Sequence, residues 1–131
     1  AMALFNYGYA YWLNKIGTEN AEKITRAVPF YGIRFDKNHT AGNSATAAAV
    51  LYNETLMDFP QAYTNDTLET KSQIVIHNGI NTLGQKVKKV KEQNNIGIAI
   101  WEISFDHGTG KKSLIDFIYN AANPTTESVK N

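Results

Sequence analysis

Residues 96 to 106 read IGIAIWEISFD, an apolar run that ends in Trp101-Glu102 and then reaches Asp106. Trp101 offers a flat apolar plate, and Glu102 and Asp106 are two carboxylates that could serve as acid and base if the fold turned them to one side. A second stretch, VPFYGIRF at residues 28 to 35, carries Phe30, Tyr31 and Arg34. Aromatic rings beside carboxylates and a guanidinium suit a pyranose, whose C–H faces stack on rings and whose hydroxyls pair with charged groups. The same rings would also serve to fill a core, and spacing alone leaves both roles open. The acid and base pairing is the weaker idea. Strand alternation turns Trp101 and Glu102 to opposite faces, and Asp106 lies beyond the strand in a loop.

Other chemistries find little support. The chain has no cysteine, so it holds neither a disulfide framework nor a thiolate metal site or nucleophile. His39, His77 and His107 sit in turn-like segments without ligand spacing, which reads as loop surface rather than a metal centre. G-x-G-x-x-G, a Walker loop and G-x-S-x-G are all missing, and no cofactor is implied. Thirteen basic against twelve acidic residues leave a net charge of +1, too little for a field that collects nucleic acid or anionic lipid. The one basic cluster, KVKKVK at residues 86 to 91, reads as a solvated helix face. No apolar run reaches the roughly 20 residues of a membrane span, and no secretion signal opens the chain.

The elements that must position Trp101 and Tyr31 follow from periodicity. GYAYWLNKI, residues 8 to 16, predicts a short helix stopped by Gly17, and residues 22 to 35 predict one apolar strand. After a loop over residues 36 to 43, Ser44 caps an expected helix through ATAAAVLYNETLMDF. A short strand is expected at Gln73 to His77, with a turn at Asn78-Gly79. Thr82 and Gln85 form a capping-box pattern for a helix whose stripe is Leu83, Val87 and Val90. The strand at Ile96 to Ile103 is followed by a helix from Lys111 to Ala122, with Leu114, Ile115, Ile118 and Tyr119 inward. Strands separated by amphipathic helices imply an α/β fold with mainly parallel strands covered on both faces, which accounts for the apolar body of IGIAIWEI. Ligands of such sheets meet the carboxyl ends of the strands, where Tyr31 and Trp101 fall.

The stretches AYWLNKIGTENAEKITRAVPFYG and IHNGINTLGQKVKKVKEQNNIGIAIWEISFD resemble the C-terminal part of family 18 glycoside hydrolases, the chitinases and related endo-N-acetylglucosaminidases. Gly17, Lys23 and Pro29-Phe30-Tyr31-Gly32 fit the family's approach to a P-F-Y-G strand end. His77-Asn78-Gly79 and Lys86 fit a later turn and a Lys-bearing helix, and Gly97 to Glu102 fit the final strand, with Asp106 at a frequent aspartate.

The resemblance implies part of a (β/α)₈ TIM barrel acting on β-1,4-linked N-acetylglucosamine glycans. In it, Trp101 and Tyr31, with Phe30 and Glu102, would line the substrate site. The family's acid belongs to a D-x-x-D-x-D-x-E motif that this sequence lacks, so no catalytic residue is assigned and the chain is expected to be inactive alone. For the family's M-x-Y-D on the sixth strand, MALFNYG is at best a degraded stand-in. A whole barrel needs about 250 residues, so 131 supply its last two to three β/α units, residues 1–123, before a polar tail at 124–131. The partners implied are an N-acetylglucosamine-containing oligosaccharide, no nucleic acid and no membrane, with self-association expected to complete an open sheet. The resemblance suggests a secreted or cell-surface setting. The alternative is a non-catalytic carbohydrate-binding α/β domain.

Overall fold

The computed structural model describes residues 2–38 and 47–124. Helix α1 spans Met2–Ile16 and stops where Gly17 takes φ +88°, a left-handed conformation that any side chain would resist. The helix begins six residues earlier than its sequence pattern suggested, so MALFNYG is helical and stands in for no strand motif. A 3-10 segment, Thr18–Lys23, then leads into β1, Thr25–Pro29.

The strand expected over residues 22 to 35 is two strands in two sheets. Phe30 breaks it: β1 pairs in parallel with β6, Gly97–Trp101, from Thr25↔Gly97 to Pro29↔Trp101. Beyond Phe30, β2, Tyr31–Asp36, enters a four-stranded antiparallel sheet of order β3-β2-β5-β4, with β3 Ala47–Leu51, β4 Thr67–Glu69 and β5 Gln73–Ile76. Helices α2, Tyr52–Asp58, α3, Ile80–Glu92, and α4, Leu114–Ala122, complete the described elements. The α/β class and partial-barrel character hold, because β1 with α3 and β6 with α4 make two β/α units that do not close into a barrel. The expectation of mainly parallel strands is met only by β1 and β6, because the first unit is interrupted by the antiparallel sheet folded between β1 and α3.

The core lies between the β1–β6 pair, α3 and α4, and runs on under the antiparallel sheet. Val28 and Phe30 join Leu83 and Val87 of α3, Leu114 and Ile118 of α4, and Tyr52, Leu56 and Val75 of the inserted part. Ile98 and Ile100 pack against this core, while Ala99 and Trp101, on the other face of β6, are exposed. Coverage on both faces was expected. Two strands alone cover only one, since the interior of a closed barrel is filled by side chains from strands on its far side. Tyr119, expected inward, is exposed on the outer side of α4.

The helix expected through residues 45 to 59 is a strand followed by a helix. Ala47, Ala48 and Ala49 are good helix formers, but that preference amounts to about 0.5 kcal/mol per residue and yields to a ladder running from Tyr31↔Leu51 to Phe35↔Ala47. Ser44, expected to cap that helix, and His39 lie outside the described residues, as does the tail from residue 125. Among the described residues, no helix is long and apolar enough to cross a membrane.

Candidate functional site

Trp101 closes β6, and Tyr31 opens β2 two residues after the end of its parallel neighbour β1. Pro29 lies opposite Trp101 in the β1–β6 register, and the Phe30 N–H donates to the Trp101 carbonyl at 2.8 Å. The ends of the two strands are thus locked together where their side chains leave the sheet. Trp101 is 66% exposed and Tyr31 half-buried, whereas Phe30 is 1% exposed and belongs to the core. Phe30 therefore has no face to offer a ligand, and the packing role open to it from its sequence is the one it takes. The Trp101–Glu102 peptide is cis. Glu102 is half-buried and its Oε1 accepts from the Ser104 hydroxyl.

Tyr31 lines a cleft of about 470 Å³ with Pro29, Ile76, Asn78 and Lys86, closed on one side by Leu4 and Phe5 of α1. A buried polar clamp holds this cleft. Asn78 Nδ2 donates to the Pro29 carbonyl at 3.2 Å, and Asn78 Oδ1 accepts from Lys86 Nζ at 2.7 Å. The turn before α3 is thereby fastened to the exit of β1, where Tyr31 emerges. Lys86 is 4% exposed, and burial pulls its ammonium down to about 8, opposed by the Asp66 carboxylate and reinforced by Arg26. Phe5 of α1 lies over both cations: its ring centroid is 3.5 Å from the Arg26 guanidinium carbon and 5.2 Å from Lys86 Nζ. Arg26 also donates to Gln93 Oε1 at 2.6 Å and to the Phe5 carbonyl, so α1 is held to β1 through one buried guanidinium.

Asp106 and Asp66 have structural roles. Asp106 is buried and accepts from Ser113 Oγ at 2.8 Å, Leu114 N at 2.9 Å, Ile115 N at 3.0 Å and His107 N at 2.8 Å. It satisfies the first turn of α4 and has no capacity left for proton transfer, so Glu102 and Asp106 are not an acid and base pair. Ser113 completes the cap by accepting from Asp116 N at 3.0 Å. Asp66 does the same for α3, accepting from Gly79 N at 2.7 Å and from the Thr82 hydroxyl. Thr82 therefore gives its hydroxyl to Asp66 rather than forming the expected capping box with Gln85. Gly79 is needed at this junction, since a Cβ there would stand 2.8 Å from the Thr64 backbone.

The remaining sequence candidates separate from the cleft. Arg34 lines a different cavity, with Thr55 and Val75, on the opposite face of the antiparallel sheet from Tyr31. His77 is buried beside Tyr52, and burial depresses its pKa against the pull of a backbone hydrogen bond at Asn65 and the charge of Asp66. It is core, not loop surface; His107 is exposed. Among the described residues no group of three or more potential ligands could hold a metal ion. Of the KVKKVK lysines, Lys88 and Lys91 are exposed and Lys89 half-buried, whereas Lys86, expected on the solvated face, is buried in line with Leu83, Val87 and Val90.

No protein-family model matches the sequence, and no curated protein matches it. Solved structures do. The GH18 chitinase ChiB of Flavobacterium johnsoniae superposes with a TM-score of 0.73 at 25% identity, over 93% of this chain and 35% of that one. The Group IV chitinase of Ostrinia furnacalis gives 0.73 at 23%, over 90% of this chain and 39% of that one. Human YKL-39, a pseudo-chitinase with retained chitooligosaccharide binding properties, gives 0.70 at 18%, over 89% and 39%. The chain spans less than two-fifths of the length of these structures, and the resemblance to part of a family 18 catalytic barrel extends over about nine-tenths of the chain.

Proposed function

We propose that this segment of a family 18-like barrel carries the sugar-stacking half of a chitooligosaccharide site and leaves the acid chemistry to residues it does not contain. The observation that carries this reading is Trp101, a large aromatic left exposed at the carboxyl end of a parallel strand, with Tyr31 two residues beyond the end of the neighbouring strand β1. An exposed indole costs the isolated fold apolar hydration and is well suited to the C–H face of an N-acetylglucosamine ring. Glu102, half-buried beside it, is a hydrogen-bond acceptor for a sugar hydroxyl. The function is thus that of a chitinase-like fragment that binds β-1,4-linked N-acetylglucosamine and does not cleave it alone.

Calorimetry with chitotriose tests this. Binding is expected for the native chain, and Trp101→Ala should weaken it at least about tenfold, since stacked aromatic anchors dominate such contacts. No heat at millimolar ligand, or equal binding by the variant, would count against the reading. A fluorogenic chitobiose substrate should show no turnover with the purified chain; measurable hydrolysis would return the carboxylates to a catalytic role.

The unpaired edges of the β1–β6 pair support a further expectation, that the chain self-associates to extend its parallel sheet. Light scattering at high concentration checks it, and a strictly monomeric mass would contradict it.

A further inference from the structure

A cavity of about 420 Å³ lies between α2 and the face of the antiparallel sheet turned away from Tyr31. Val75 and Phe59 give it an apolar floor, Arg34 of β2 stands on one side, and Glu54 and Asp58, one turn apart on α2, stand on another, with Gln73 beside them. Opposite charges sharing a cavity ordinarily pair. Among the described residues, however, the side chains of Arg34, Glu54 and Asp58 enter no ion pair and no hydrogen bond; Glu54 donates only its backbone N–H, to Asn53 Oδ1. Their donors and acceptors are free to face the cavity, and two carboxylates against one guanidinium leave it with a net negative charge.

We infer that this cavity is a second glycan site, selective for an amino sugar with a free protonated amine: a glucosamine unit of a partly deacetylated chitooligosaccharide. The ammonium pairs with Glu54 and Asp58 through charge-assisted hydrogen bonds, Arg34 and Gln73 serve the ring hydroxyls, and Phe59 meets the C–H face of the ring. The volume falls within the range of about 300–1,000 Å³ typical of small-ligand sites. An acetylated unit presents no charge to the carboxylates and is left to the site proposed at Trp101 and Tyr31. The inference rests on the proposed glycan class, but this cavity shares no lining residue with the Tyr31 cleft, and the two sites fail separately.

The test is amide chemical-shift titration of the full chain at about pH 6 with the trimers of glucosamine and of N-acetylglucosamine. The glucosamine trimer should move the amides of Thr55, Phe59 and Val75, and the affinity should fall about tenfold in the Glu54→Gln/Asp58→Asn variant, with a similar loss as salt is raised. Arg34→Met should weaken the same titration while leaving the folded spectrum intact. The inference is overturned if the glucosamine trimer moves none of these amides, or moves them equally in the carboxylate variant. Loss of N-acetylglucosamine binding alone would sink the Trp101 reading and leave this one standing.

Discussion

Asp106→Ala is expected to lower the stability of the chain by about 3 kcal/mol, because it strips four donors of one buried acceptor at the start of α4. Urea unfolding followed by circular dichroism measures it. Asp106→Asn keeps one oxygen acceptor and should lose about half as much. The cost arises because His107 N, Leu114 N, Ile115 N and Ser113 Oγ all converge on the two oxygens of a buried carboxylate. If the alanine variant unfolded at the native urea midpoint, the cap would have no energetic role and a chemical one would have to be reconsidered.

The second large effect is on the pH profile. Lys86 in the folded chain titrates near 8, against 10.5 for an ordinary lysine, so between these values the unfolded chain holds a proton that the folded chain has released. Stability should therefore rise as pH increases from about 8 to about 10, by about 2 kcal/mol, and Lys86→Met should flatten that rise. Burial holds the Tyr52 hydroxyl protonated far above its usual value of 10, which reverses the trend at still higher pH, where only the unfolded chain ionises it. At the acid end, the depressed His77 contributes stability above about 6.5 that fades as pH falls below it. A flat profile between pH 8 and 10 in the native chain would show that Lys86 is not a buried cation.

Much of this arrangement was legible in the sequence and some was not, for physical reasons that differ by residue. The Leu83, Val87, Val90 stripe was visible because burial on one face imposes a period, and residues 97–101 were visible as a strand from their continuous apolar run, although only one of its faces is covered. Ala47–Leu51 was misread because its helix propensity is intrinsic while its strand pairing with β2 depends on residues far along the chain. Thr82 fitted a local capping rule, yet a carboxylate sixteen residues away claimed its hydroxyl. Trp101 and Tyr31 could be named as candidates, but the pairing of Pro29 with Trp101 that brings β6 beside the approach to Tyr31 leaves no local signal. The clamp of Asn78 on Pro29 is likewise a contact between distant residues, seen only once β1 and α3 are side by side.

The antiparallel sheet folded between β1 and α3 also sets an order of events. β1 must find β6 roughly seventy residues along the chain, a long loop to close before any ladder bond repays it, whereas β4 and β5 meet across a few residues. The sheet built on β5 can therefore collapse early and hold the intervening chain short, bringing β1 and α3 within reach before β6 arrives. In hydrogen exchange, β4 and β5 should be protected ahead of β1 and β6 during refolding, so the strand end that carries Trp101 would be among the last parts of the molecule to form.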